Sequence, residues 1–420
     1  MVKIGILGVG TVGASVANIL ESNADIIEAR AGKKIIAKSG VVKNLSKDRG
    51  VNISLTDNPL DVVDDPEIDI VVELMGGVEE PFELVKRALK NGKAVVTANK
   101  ALLAYHRYEL QEIAGELPLM YEASTAGGIP IIGALRNGLT ANHIESIQGI
   151  MNGTTNYMLT KMINEGAKYD EILKEAQELG YAEADPTFDV GGFDASHKLL
   201  ILASIAYGID AKPEDILIEG IENITQTDVA FAKEFGYEIK LLGIAKKVAN
   251  GIELRVHSTM IPQESMIAKV DGVMNAVSVV GDKVGETMYY GAGAGGDATA
   301  SAVIADIIDI VRGNNAPMLG YKRGLESGFK LLPQDEITTN YYLRMEVDDR
   351  SGVLASITKE LEKFDISIES MLQKPHRNDG RVKLLFTTHK CQEAKIKEAI
   401  SALKDLECIH GDIAMIRIEK

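Results

Sequence analysis

Cysteine is scarce: Cys391 and Cys408 are the two in 420 residues. They form no CxxC pair and no metal-ligand cluster, so both are expected as free thiols in a reducing cytoplasm. Long hydrophobic runs are missing too, and the apolar stretches are too short and interrupted to span a bilayer. The opening MVKIGILGVG lacks the extended apolar segment and small-residue cleavage site of a signal peptide. Positive charge is in deficit, with 45 Lys and Arg against 61 Asp and Glu and a net charge of -16. That balance disfavours nucleic acid or an anionic membrane as a partner. Short internal repeats and low-complexity segments are absent. What is present, 45% hydrophobic and 25% charged residues, is the composition of a soluble globular protein of two to three domains.

The first glycines carry a specific signal. Residues 2–7, VKIGIL, read as a buried strand; Gly8, Gly10 and Gly13 follow as GVGTVG; residues 14–22 read as a helix. Strand, glycine turn and helix in that order form the context of a dinucleotide site, because the glycines admit a tight turn, close approach of a pyrophosphate and close helix packing. Thr11 and Val12 lie in the same turn, where the helix N-terminus would face the phosphates. The second strand is expected within residues 33–44. Its end carries Lys43 and Asn44, with Lys47 and Arg49 beyond, rather than the acid that would bond a ribose 2'-hydroxyl. NADP is therefore expected ahead of NAD. Further strands are expected at 68–74, at 93–100 (ending on Thr97, Asn99 and Lys100) and at 118–124. Ligands of an open parallel sheet bind beyond the carboxyl ends of its strands, which puts Lys100 near the nicotinamide. Residues 1–125 are expected to form an α/β Rossmann domain, with a helix at 300–320 returning to it.

Residues 126–300 read as an α+β domain for substrate binding and dimerisation. Its centre is EADPTFDVGGFDASHK at 183–198, where a loop with Glu183, Asp185, Asp189 and Asp194 feeds an apolar helix. Asp194 and Lys198 fall one turn apart on one helix face. That spacing can hold an ammonium group and a transferable proton side by side. The run at 239–290 reads as several short strands of an open sheet, and GAGAGG at 291–296 is a second glycine turn opening a long apolar helix. Residues 321–339 read as a linker. Residues 340–420 follow the order βαββαβ, the ferredoxin-like plan, and are expected as a separate unit. Its two helices share one face; pairing with a second copy would cover the other.

Taken together, these blocks make the chain resemble a monofunctional homoserine dehydrogenase with a C-terminal ACT domain and no kinase domain ahead of the nucleotide fold. The resemblance rests on GVGTVG, TANK at 97–100, YEASTAGGIP at 121–130, NGTTNY at 152–157, the run from Gly180 to Lys198, and DDRSGVLASI at 348–357. It implies reversible NAD(P)-dependent interconversion of L-aspartate 4-semialdehyde and L-homoserine, a step of threonine, methionine and isoleucine biosynthesis. It implies Lys198 as acid/base, with Lys100 assisting near the reacting oxygen. Glu183 and Asp194 would hold the substrate, with Asp189 and Thr154 beside them. Gly293 matches a position near the nicotinamide, and the carbonyls of Glu122, Thr125, Gly127 and Ile129 match a site for a monovalent cation, usually Na+. The ACT unit implies amino-acid feedback, with L-threonine the expected effector near Asp349, Gly352, Val353 and Leu354, in a homo-oligomer (dimer or tetramer). The residue chemistry agrees with the resemblance. Hydride delivery to an aldehyde carbon needs a proton for the developing alkoxide, and a lysine ammonium supplies both charge and proton.

Two other readings stand beside this one: an aspartate-type amino-acid dehydrogenase on the same fold, and a non-catalytic NAD(P)/amino-acid sensor. A lysine acid/base suits an alcohol–aldehyde couple, which argues against the first. The complete set of Lys100, Glu183, Asp194 and Lys198 argues against the second.

Overall fold

The computed structural model describes residues 1–314, 316–325, 328–374 and 380–420. Val2–Leu7 (β1) is nearly all apolar, as a strand flanked by helices on both sheet faces must be. It pairs in parallel with Ile35–Val41 (β2) and Ile70–Glu73 (β4). Ser54–Thr56 (β3), Ala94–Thr97 (β5) and Leu119–Met120 (β6) complete a six-stranded sheet of order β3-β2-β1-β4-β5-β6. The order reverses beside β1, the point where an open α/β sheet binds its ligand. Thr11–Ser22 (α1) leaves that point directly. Glu79–Lys90 (α2) buries Phe82, Val85, Ala88 and Leu89 at helical spacing. Lys100–Ala114 (α3) corrects the expected strand at 93–100: β5 stops at Thr97, Asn99 caps the helix by accepting the Leu102 N–H, and Lys100 opens it.

Beyond residue 126 come Ile144–Ile150 (β7), Gly153–Glu165 (α4), Tyr169–Glu178 (α5), Phe193–Tyr207 (α6) and Gln226–Glu234 (α7). The expected short strands are in fact two of 12 residues, Tyr237–Val248 (β8) and Gly251–Pro262 (β9), and two of 8, Met274–Gly281 (β10) and Gly285–Ala292 (β11). Helix α6 is apolar nearly all round and buried along its length, packed on β7, β8 and β9 and against α3. That packing sets its lysine opposite Lys100. Gly296–Arg312 (α8) returns to the nucleotide domain, where Ala300, Val303 and Ile307 share a core with Ile4, Ile6 and Val16.

The last unit runs Thr338–Asp348 (β12), Val353–Lys363 (α9), Ile368–Lys374 (β13), Arg381–Thr388 (β14), Glu393–Lys404 (α10) and Ile409–Ile418 (β15). KPHRNDG at 374–380 reads as the turn between the two middle strands of this plan, and its residues 375–379 lie outside those described. The βαββαβ order is as expected, but the unit does not stand apart. Thr259 and Met260 of β9 pair in parallel with Arg417 and Ile418 of β15. One 11-stranded sheet results, ordered β11-β10-β7-β8-β9-β15-β12-β14-β13, with the short strands Leu217–Ile218 and Cys391–Gln392 off this path.

The cover for the second face also differs from expectation. Tyr341, Leu343 and Met345 point toward α9 and α10, whereas Tyr342, Leu385 and Ile416 join the core of the preceding domain. Asp228, fully buried on α7, accepts hydrogen bonds from Tyr342 Oη at 2.8 Å and Arg344 Nε at 2.7 Å. The chain therefore packs its own α7 on this face. The stretch at 321–339 is tied down as well, with Leu331 bridged to Ile252 and Ile337 buried. Cys391 and Cys408 are buried and free. Among the described residues, no helix is long and apolar enough to cross a membrane.

Candidate active site

A cavity of about 670 Å³ lies where the carboxyl ends of the parallel strands meet α4, α6 and the β10–β11 hairpin. Lys100, Thr154, Asp189, Asp194 and Lys198 all line it. Gly192, at φ +87, turns the acidic loop into α6 and sets Asp194 in the first turn. Lys198 follows one turn later, and both are buried. Lys198 Nζ donates to Asp194 Oδ2 at 2.7 Å and to the Met151 carbonyl at 2.6 Å. Lys100 Nζ stands 2.8 Å from Asp194 Oδ1. One carboxylate thus bridges two ammonium groups.

Asn152 completes the arrangement. Its Nδ2 donates to Asp194 Oδ2 at 2.9 Å and Asp189 Oδ1 at 2.7 Å, and its Oδ1 caps α4 through the Thr155 N–H. Burial alone would raise the Asp194 carboxyl, but Lys198 and Lys100 override it and hold it well below the usual carboxylate range. Lys198 is lowered from the ordinary lysine value, first by burial and also by the charge of Lys100, against the pull of Asp194. Burial raises Asp189. The cluster therefore holds a firm anion beside a lysine that releases its proton more readily than a free one.

A second layer holds Lys100. Glu73, at the end of β4 and 0% exposed, accepts from Thr97 Oγ1 at 2.5 Å and from the Met75 N–H at 2.7 Å. Thr97 Oγ1 in turn accepts the N–H of Asn99, the cap of α3. Burial pushes the Glu73 carboxyl up to about 7. Thr97, at the strand end where cofactor contacts were expected, is fully buried and lies behind the site in this relay.

On the opposite wall the glycine turn has the shape a pyrophosphate needs. Gly8 has φ +101, and a Cβ on Gly13 would fall 2.3 Å from the Gly8 carbonyl, while one on Gly10 meets nothing within 4 Å. Strand and helix are locked together, and the remaining space is open. Thr11 begins α1, and Val12 and Gly293 line the cavity. Lys43 stands exposed two residues beyond β2.

Other expected residues lie apart from the cluster. Glu183 is exposed and outside the cavity lining, because the turn after α5 carries Tyr181 to the cavity and buries Ala182, leaving the next side chain outward. Asp194 has both oxygens engaged by the lysines and Asn152, so it holds the lysines before it can hold substrate. The Thr154 hydroxyl donates to the Tyr181 carbonyl. In the turn at 122–129 the Glu122 carbonyl accepts the Thr125 N–H at 3.5 Å, and that of Ile129 accepts the Ile131 N–H at 2.8 Å. The Glu122 carboxylate accepts from Ile132 and Gly133 N–H, and Ala126 and Gly127 both have φ +56. Gly352, at φ +92, caps α9, with Val353 buried, Leu354 exposed and Asp349 donating its N–H to the Gly380 carbonyl.

Residues 8–117 match the family model "Homoserine dehydrogenase, NAD binding domain", 130–308 match "Homoserine dehydrogenase", and 341–408 match "ACT domain". The homoserine dehydrogenase of Helicobacter pylori is 54% identical over 99% of each chain, and that of Pseudomonas aeruginosa 47% identical over 100% of this chain and 99% of the other. A solved homoserine dehydrogenase from Thiobacillus denitrificans is 48% identical, with a TM-score of 0.95 over 100% of this chain and 98% of the other. The chain belongs to the homoserine dehydrogenase family. Homoserine dehydrogenases are oxidoreductases, and the matching NAD-binding domain identifies a nicotinamide cofactor.

Three residues of the site have roles that the motifs do not state. Asn152 is a helix cap that doubles as a bridge between carboxylates; Asn ahead of Gly-Thr-Thr is a legible cap signal, but the bridge needs the fold. Glu73 ends the buried run IVVE, where a carboxylate is out of place, and that oddity was its signal. Asn275 sits in a β-strand with nothing local to mark it.

Proposed function

We propose that this cavity interconverts L-homoserine and L-aspartate 4-semialdehyde, with Lys198 as the acid/base. The observation that carries the reading is the buried Lys198 ammonium, paired through Asp194 with Lys100, on the wall facing the glycine turn. Gly8, Gly10, Thr11, Val12 and Gly13 would hold the cofactor's pyrophosphate. When bound, the nicotinamide supplies or accepts the hydride.

In reduction, Lys198 gives its proton to the developing alkoxide and Lys100 adds positive charge beside it. In oxidation, neutral Lys198 takes the hydroxyl proton. Asp194 fixes both lysines. Asp189, with one oxygen on Asn152, meets the substrate ammonium, and Thr154 at the start of α4 meets its carboxylate. Glu183 joins when the loop at 179–193 closes. Leu179, Tyr181, Phe188 and Phe193 of that loop are 41–55% exposed, apolar surface that closure would bury.

Finer features follow from the same reading. NADP is the preferred coenzyme, supported by exposed Lys43 in place of an acid beyond β2; a hyperthermophilic archaeal homoserine dehydrogenase, 29% identical, was solved with NADPH. A monovalent cation such as Na+ sits on the carbonyls of Glu122, Thr125, Gly127 and Ile129, each oxygen keeping a lone pair for it. L-Threonine acts through the ACT domain near Asp349, Gly352, Val353 and Leu354, where α9 presents free N–H groups. The enzyme is a cytoplasmic homo-oligomer. The domains divide at about 125, 300 and 340.

The test is L-homoserine-dependent reduction of NADP and NAD, side by side, with and without L-threonine. Homoserine turnover favouring NADP and inhibited by threonine is expected. Preference for L-aspartate as substrate would defeat the reading of the cavity, and indifference to threonine that of the ACT domain.

A further inference from the structure

Asn275 stands at the second position of β10, opposite Gly291 of β11, and is 1% exposed. Its Oδ1 is buried without a hydrogen-bond partner. Buried amide oxygens are rarely left so, because nothing replaces the water they give up. This amide is not sealed in a core. It forms part of the wall of the 670 Å³ cavity, beside Asn152, Gly153 and Gly293.

Two glycines fit around it. A Cβ on Gly293 would fall 2.2 Å from Asn275 Nδ2 and 2.4 Å from Oδ1. A Cβ on Gly153 would lie 2.7 Å from the Val273 carbonyl and 3.7 Å from Asn275 Oδ1. Backbone closes in on the amide from both positions, so the side chain is held where Asn275 borders the cavity. The cationic donors lining that cavity are already directed elsewhere: Lys198 Nζ and Lys100 Nζ both bond Asp194. Neither lysine is therefore spare for the Asn275 oxygen, and a molecule bound in this corner of the cavity can supply the missing donor.

We infer that Asn275 is a ligand-binding residue whose carboxamide oxygen accepts an N–H of a molecule bound in the cavity. Two such donors belong to the reaction: the α-ammonium of the amino-acid substrate and the carboxamide of the nicotinamide. The inference rests on the proposed reading of the cavity. It gives a reason for glycine at 293 beyond backbone freedom, since any side chain there would displace the amide. It also gives Asn275 an inverted stability signature. A structural asparagine stabilises the empty protein, whereas one held unpaired for a ligand does not.

The experiment uses full-length Asn275→Ala and the near-isosteric Asn275→Asp. It measures the melting temperature without ligand, the Kd of reduced coenzyme by its fluorescence, and KM for L-homoserine. Asn275→Ala is expected to melt no lower than wild type and to lose on the order of tenfold in one of the two constants. A raised homoserine KM with unchanged coenzyme Kd, restored by Asn275→Asp, assigns the oxygen to the ammonium. A raised coenzyme Kd that disappears when a 3-acetylpyridine coenzyme replaces the carboxamide form assigns it to the nicotinamide. Both constants within twofold of wild type, in either variant, overturn the inference whatever the melting temperature does. If wild type binds coenzyme yet does not oxidise homoserine, the reaction assignment fails separately, and the coenzyme arm still decides the role of Asn275.

Discussion

Asp194 and Lys198 meet through a 2.7 Å contact between Oδ2 and Nζ, four residues apart on one buried helix. The other oxygen belongs to Lys100, from the helix that opens beyond β5. An anion shared by two cations sets both ammonium groups side by side where an alkoxide would form. The pairing also fixes the lysines before any substrate arrives, so orientation is settled in the folded protein rather than during turnover.

Replacing Lys198 with Ala should lower kcat on the order of 100-fold or more. Coenzyme affinity should be unchanged, since the glycine turn is on the opposite wall. Steady-state rates paired with coenzyme titration check both halves, and a near-normal kcat would remove Lys198 from proton transfer.

The two directions of the reaction should have opposite pH dependence. Oxidation needs neutral Lys198 and rises with pH; reduction needs the ammonium and falls through the same range. Because the Lys198 pKa is lowered, first by burial and further by Lys100, the crossover lies below the ordinary lysine value. Lys100→Met removes a positive neighbour, so Lys198 should hold its proton more firmly and the oxidation profile should move to higher pH. An unmoved profile would uncouple the two lysines.

Asn152 acts as cap and bridge, and substitution can separate these. Asn152→Ala should cost about 1 kcal/mol in unfolding free energy through the cap alone. Asn152→Asp keeps the cap but sets a third carboxylate against Asp189 and Asp194. Stability and kcat/KM should both fall further than for Ala, because a buried carboxylate between two others costs more than a lost cap; denaturation and kinetics on the same preparations compare them.

Glu73 makes a prediction about stability and pH. Its folded pKa, about 7, lies above the ordinary 4.5. The folded state therefore binds the extra proton between those values, and its stability falls as pH rises through that window. Glu73→Gln cannot ionise, so the variant should lose this contribution to the slope. Unfolding free energies of both proteins from pH 5 to pH 8 give the difference. Parallel curves would mean that Glu73 ionises as it does in water.

Asp228→Ala should destabilise by roughly 3–5 kcal/mol, because it strands half-buried Arg344 and buried Tyr342 together. The α7 capping box, in which Thr225 Oγ1 donates to the same carboxylate, would be lost as well. Chemical denaturation of the full chain reads the sum.

Much of this was legible beforehand because it is local. The glycine turn, the Asp194–Lys198 spacing and the βαββαβ order each follow from residues near one another in sequence. The exposed position of Glu183 was not, since it depends on which side of a turn faces the cavity. Lys100 was expected at a strand end, and a strand that stops three residues earlier, at Thr97, changed its element while leaving it at the site. Asn275 was invisible as a functional position, because what singles it out is the environment other segments build around it, and Glu73 showed only as an acid out of place in a buried strand. The joining of two sheets by a two-residue parallel pair has no counterpart in sequence pattern at all.

That junction makes the C-terminal unit a plank in a shared floor rather than a detachable accessory. Removing residues 340–420 would strip β15 from β9 and bare the hydrogen-bonding edge of that buried strand at Thr259 and Met260, near Arg255, now parted from Glu419. Such an edge recruits other chains. A truncated protein that lost activity through clumping would therefore say nothing about feedback, and severing regulation from catalysis calls for point changes on the ACT surface instead.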